Sequence, residues 1–188
     1  MLERPARPAF LLVLTHGAGG TPDTRDVLAV RDAGRALGAV TALVTQPYRV
    51  KGARAPGSAA RQDEAWIEII GALRAGTPGV PLVQGGRSNG ARVACRTAAA
   101  VGARAVIALA FPLKPPGPTG QSRVAELRAA RAGGAAVLVV NGERDPFGIP
   151  GRRDANRVVT VPGETHSLRG HRAVIVRAVT AWLPTVLR

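Results

Sequence analysis

Gly86-Arg87-Ser88-Asn89-Gly90 follows the apolar run Val80-Pro81-Leu82-Val83-Gln84 and opens a helix-like stretch. Strand, sharp turn with a serine at its tip, then helix is the arrangement that lifts a hydroxyl above a sheet edge. The flanking glycines let the backbone turn that tightly. A serine held there is a nucleophile that needs a base, an orienting acid and donors for an oxyanion. Short patterns of this kind also arise by chance in a chain with 23 glycines, so the other groups decide. They are expected in the order serine, acid, histidine, each on a loop after a strand. Gly142-Glu143-Arg144-Asp145-Pro146-Phe147-Gly148 follows the apolar run Ala135–Asn141. Pro162-Gly163-Glu164-Thr165-His166-Ser167-Leu168 follows Arg157–Val161. Ser88, Asp145 and His166 meet both order and placement.

Each assignment has a rival. A phosphate-binding glycine loop would also explain Ser88, but no Lys-Ser/Thr pair or G-x-G-x-x-G accompanies it. Glu143 stands two residues from Asp145, and His171, at the start of the last helix, competes with His166. Glu164 reads as a solvated turn residue. His16-Gly17-Ala18-Gly19-Gly20 follows the first strand, where a second oxyanion donor belongs. The expected hole is the main-chain N–H pair of Ala18 and Asn89, with the Asn side chain idle and His16 a structural histidine bonded to backbone. Arg87, Tyr48 and Arg49 are the candidate substrate-binding residues, with Arg54 nearby. The alternative for each arginine is an ordinary surface role.

The elements that must position these groups alternate from end to end. Apolar runs at Ala9–Thr15, Val40–Thr45, Val80–Gln84, Ala105–Ala110, Ala135–Asn141 and Arg157–Val161 are short and mostly lack polar alternation, as strands buried on both faces do. Amphipathic stretches lie between them at Thr24–Leu37, Arg61–Ala75, Asn89–Val101, Ser122–Arg131 and Arg172–Leu187. Asp23 or Thr24 caps the first and Ser122 the fourth, while Gly38, Gly76 and Gly102 stand at helix ends. This predicts an α/β fold: a three-layer, doubly wound, mostly parallel sheet of about six strands in a single domain spanning residues 1–188. Two long loops, Gln46 to Ala60 and Phe111 to Gly120, are expected at the carboxyl edge; prolines make the second a fixed wall.

Composition narrows the classes. No apolar run reaches the roughly 18 residues that span a bilayer, and the start, Met1-Leu2-Glu3-Arg4 before Ala9–Leu14, reads as lead-in to a core strand rather than a signal peptide. Cys95 is the sole cysteine. It fits a reducing, cytoplasmic setting and a small buried hydrophobe. No Cys/His/Asp group has metal-ligand spacing, so neither metal nor cofactor is expected. Lys and Arg total 26 against 12 Asp and Glu, a formal net charge of +14. The only lysines are Lys51 and Lys114, and the arginines are spread through every segment. Nucleic acid is therefore not the expected main partner, despite the charge.

The set His16-Gly17-Ala18-Gly19-Gly20, Pro47-Tyr48-Arg49, Gly85-Gly86-Arg87-Ser88-Asn89-Gly90-Ala91-Arg92, Phe111-Pro112-Leu113-Lys114-Pro115-Pro116-Gly117, Gly142–Gly148 and His166-Ser167 resembles a small α/β-hydrolase family related to dienelactone hydrolase. That family includes the hydrolase-like subunit of a nuclear histone acetyltransferase complex and testis-expressed relatives. The resemblance runs from about Phe10 to the C-terminus. It implies a minimal α/β-hydrolase fold without a cap domain, and a serine triad at the matching positions. The family often has Met where Asn89 stands and Gly where Ala91 stands. Two functions remain in view: a serine hydrolase acting on a small acyl ester or thioester, and a non-catalytic binding or scaffold protein with a protein partner.

Overall fold

The computed structural model describes residues 8–115 and 120–188. Pro116, Gly117, Pro118 and Thr119, at the centre of the expected proline wall, lie outside the described residues, as does the lead-in at 1–7. Six strands form one sheet: β1 (Phe10–Thr15), β2 (Ala39–Val44), β3 (Leu82–Arg87), β4 (Ala105–Leu109), β5 (Ala136–Gly142) and β6 (Arg157–Val161). Their order is β2-β1-β3-β4-β5-β6, and every pair is parallel.

Successive side chains on a strand point to opposite faces, and here both faces are covered. Leu11 and Val13 of β1 pack into one cluster with Trp66, Ala94 and Leu127. Phe10, Leu12 and Leu14 pack into the other with Val30, Val179 and Trp182. The first cluster faces α3 (Ala59–Ala75), α4 (Asn89–Thr97) and α5 (Val124–Ala132); the second faces α1 (Arg25–Ala36) and α6 (Arg172–Val186). This is the three-layer, doubly wound arrangement read from the apolar runs.

The chain leaves β1 toward β2 on one side, then returns to place β3 on the other. That reversal opens a crevice at the carboxyl ends of β1 and β3, where α/β folds hold their ligands. Thr15 pairs with Gly86 there, so the turn after β1 and the turn after β3 emerge side by side.

Element ends differ from expectation in instructive ways. The third strand continues past Gln84 to Arg87, because Gly85-Gly86 is strand rather than turn. The long loop after β2 contains a one-turn helix, α2 (Pro47–Val50), with Pro47 in its first turn, where a missing N–H costs nothing. Helix α3 starts at Ala59, two residues early, because Ser58 caps it and accepts from Arg61 N. Thr24 stands at the α1 N-cap position without a side-chain bond, and Arg123 rather than Ser122 occupies that of α5. Gly38 and Gly102 have positive φ, 84° and 61°, whereas Gly76 remains right-handed.

Candidate active site

Ser88 joins β3 to α4 with φ 53° and ψ −113°, a region that residues other than glycine seldom enter. The two glycines of its motif are needed for space. A Cβ on Gly86 would lie 2.7 Å from Thr15 O, and one on Gly90 would lie 2.6 Å from His16 O. The elbow is pressed against the end of β1, which sets how far the serine projects.

His166 and Asp145 come to it from the loops after β6 and β5. His166 Nε2 lies 3.0 Å from Ser88 Oγ, and His166 Nδ1 lies 2.9 Å from Asp145 Oδ2. The Asp145 side chain is fully buried, while the His166 side chain is about one-fifth exposed. Phe147 N donates to Asp145 Oδ1 at 2.9 Å, and Asn141 Nδ2 donates to Oδ2 at 3.3 Å. Both carboxylate oxygens are thus occupied, and the rotation of the group is fixed. The Phe147 ring meets the imidazole edge-on, with centroids 4.6 Å apart.

The rivals fall elsewhere. Glu143 Oε2 accepts from Gly163 N, which stitches the two loops together. His171 pairs with Glu164 rather than approaching the serine. Glu164 corrects the expectation of a solvated turn residue. It is buried, and it accepts from Arg169 N, Gly170 N and His171 Nδ1. The hydrogen bond from His171 and those from the two backbone N–H groups hold its carboxyl below the usual range against a counteracting burial effect. Its task is to shape the turn just after His166.

On the other side of the serine, the turn after β1 packs closely: a Cβ on Gly17 would sit 3.3 Å from Ser88 Cβ. Ala18, next in sequence, has its carbonyl fixed by the Tyr48 hydroxyl at 2.7 Å. Asn89 is the first residue of α4, so its N–H has no intrahelical partner. Its side chain is not idle: Nδ2 donates to Gln62 Oε1 at 2.7 Å and ties α4 to α3. His16 is fully buried. Gln46 N donates to its Nε2, so Nδ1 carries the proton and donates to Gly17 O at 2.7 Å. Burial depresses its pKa, the Gly17 bond opposes this, and Arg49 adds a smaller depression.

Arg87, expected beside substrate, is engaged within the protein. It donates to His166 O at 2.8 Å and lies 3.0 Å from the buried Asp26 carboxylate. Its Nε–H is not aimed at that oxygen, so the contact is Coulombic rather than a formed hydrogen bond. Arg49 donates to Ala53 O within its own loop. Sequence reasoning missed Asn141, whose side chain also bonds Phe111 N and O and Gly148 O. Its sole signal was an asparagine ending an otherwise apolar run. Among the described residues no group of His, Cys, Asp and Glu is arranged to hold a metal ion, and no helix is long and apolar enough to cross a membrane. Cys95 is buried in α4, which raises its thiol pKa strongly.

A parallel sheet with a strained serine at its switch point, and a histidine and a buried carboxylate in hydrogen-bonded line with it, defines the class of α/β proteins organised around a nucleophile elbow. The chain belongs to the alpha/beta hydrolase domain family, whose model matches residues 8–167. Similar solved structures include Est1E from Butyrivibrio proteoclasticus with bound ferulic acid, 17% identical, covering 100% of this chain and 94% of that one at a TM-score of 0.74. Dienelactone hydrolase from Anabaena variabilis is 16% identical, with coverage of 100% and 91% and a TM-score of 0.74. A lidless a/b serine hydrolase from Xanthomonas campestris is 20% identical, with coverage of 96% and 87% and a TM-score of 0.69. At these identities the likeness establishes the fold. No curated protein gives a significant match.

Proposed function

We propose that the protein is a cytoplasmic serine hydrolase that cleaves a small ester or thioester. The observation that carries the reading is the unbroken line Ser88 Oγ, His166 Nε2, His166 Nδ1, Asp145 Oδ2, with contacts of 3.0 and 2.9 Å. Ser88 attacks the acyl carbon as His166 takes its proton at Nε2. Asp145 keeps the tautomer with Nδ1 protonated and stabilises the imidazolium that forms. The oxyanion is received by the N–H groups of Ala18 and Asn89, each worth about 10²–10³ in rate when well aimed. His166 then protonates the leaving alcohol or thiol, and the acyl-enzyme remains. Water, deprotonated by His166, releases the acid and restores Ser88.

The lone, buried Cys95 suits a reducing compartment. Descent shared with the histone acetyltransferase subunit and the testis-expressed relatives would favour the scaffold reading instead, with the pocket lent to a protein partner. A fluorophosphonate probe separates the two. Wild-type protein should label, and Ser88→Ala and His166→Ala should lose at least 99% of the labelling rate, on the order of the 10²-fold or larger loss expected for a triad member. A folded wild type that does not label overturns the hydrolase and favours the scaffold.

A further inference from the structure

Beside the elbow lies a groove of about 290 Å³ between the segment after β2 and the first turns of α3. Its floor and walls are mainly apolar: Pro47, Tyr48, Pro56, Ala65, Trp66 and Val93. Two cations, Lys51 and Arg61, also line it, and no carboxylate does. Neither cationic group has a side-chain partner among the described residues, and both residues are exposed. Of the acids on α3 close to Arg61, Asp63 is committed to Arg96 on α4, and Glu64 is exposed and outside the groove lining. An arginine or lysine is ordinarily at home in water, but two unpaired cations over one apolar trough describe a complementary ligand: an apolar stem ending in an anion.

The groove connects with the proposed chemistry through its own lining. Tyr48 bonds Ala18 O, Gln62 bonds Asn89 Nδ2, and Gln46 bonds His16 through both its main chain and its side chain. Three of its residues thus touch the two turns that flank Ser88. A molecule lying in the groove therefore meets residues that hold those turns as well as Lys51 and Arg61.

We infer that the groove selects esters bearing a carboxylate separated from the ester by an apolar spacer, with Lys51 and Arg61 as the specificity-determining residues. This rests on the hydrolase reading for its chemistry, but the binding itself does not. Arg87 and Arg49, the cations first expected to do this, have partners of their own.

The test begins with binding, measured by calorimetry on the full chain carrying Ser88→Ala, with the monoanilide of adipic acid and the neutral anilide of hexanoic acid. The anionic ligand should bind about tenfold more tightly, the size expected of two solvent-screened ion pairs. The preference should shrink as salt rises from 0.05 to 0.5 M on general screening grounds. Lys51→Met with Arg61→Met should bring the ratio to about one by removing both pairs. Arg152→Met, an exposed control on another loop, should leave it unchanged. Equal binding of the two anilides, or a preference that survives the double variant, overturns the inference whether or not the protein turns over esters. Kinetics then place the carboxylate. The 4-nitrophenyl half-esters of dicarboxylic acids test the acyl side, and acetate esters of carboxyalkyl alcohols test the leaving-group side. Selective binding without turnover or probe labelling would overturn the hydrolase reading and leave the anion groove standing.

Discussion

Asn141 shows how much of the site depends on a side chain that does no chemistry. It is fully buried at the end of β5, and its amide bonds Phe111 N, Phe111 O, Gly148 O and Asp145 Oδ2. Removing the amide leaves buried backbone groups unpaired, at about 1–3 kcal/mol each. Asn141→Leu should therefore lower unfolding stability by about 2–4 kcal/mol, read from the urea midpoint at unchanged slope. Labelling of Ser88 should slow by roughly tenfold as Asp145 loses a donor. Ser88, Asp145 and His166 were legible because their types, order and positions after strands form a pattern a linear reading can hold. Asn141, Phe147 and the Arg87–His166 contact were not. Beside their local bonds, their roles need contacts with residues 30, 19 and 79 positions away, which no linear pattern announces.

At the level of elements, hydrophobic runs located every strand, since burial on both faces leaves an unbroken apolar signature. What escaped were features decided by tertiary contact. Gln84 reads as the polar end of a strand. It is instead fully buried within β3, accepting from Trp66 Nε1 and donating to Ala94 O, which locks α3, β3 and α4 together. His16 joins the ends of β1 and β2 in the same way, through Gln46 N. Its pKa is depressed in the folded state. The sign follows from linkage: above the ordinary value of about 6.5 both states are neutral and the full stability is present. As pH falls below that value the unfolded chain takes up a proton that the folded one refuses, so stability declines. His16→Gln keeps a donor and an acceptor but cannot titrate. The variant should melt several degrees below wild type at pH 7.5, as expected for about 1 kcal/mol lost from a chain of this size, and the gap should narrow by pH 5.5. Thermal melts at the two pH values check it, and a constant gap would place the pH response elsewhere.

Taken whole, the molecule carries a formal charge of +14, but much of its acid is already matched to arginine. Asp63, Glu126, Asp154 and Asp32 all pair with arginines on neighbouring elements or turns, and Asp26 with Arg87. Among the described residues, most other arginines are exposed and lie on many different elements, which gives attraction without register. Duplex DNA should bind without sequence preference, with a dissociation constant no tighter than about 1 µM at physiological salt, and steeply weaker as salt rises. A gel-shift titration at several salt concentrations measures this, and tight, salt-resistant binding would demand a dedicated interface. The strained backbone at Ser88 bears on the stability of the whole molecule. Holding φ at 53° costs about 1–3 kcal/mol in any residue except glycine. Glycine at that position would relieve the strain, but it would leave no hydroxyl above the sheet edge. The fold thus gives up stability at this turn, as it does at Ala110 and Leu168, and at Ser88 what it gains is a hydroxyl fixed in one place.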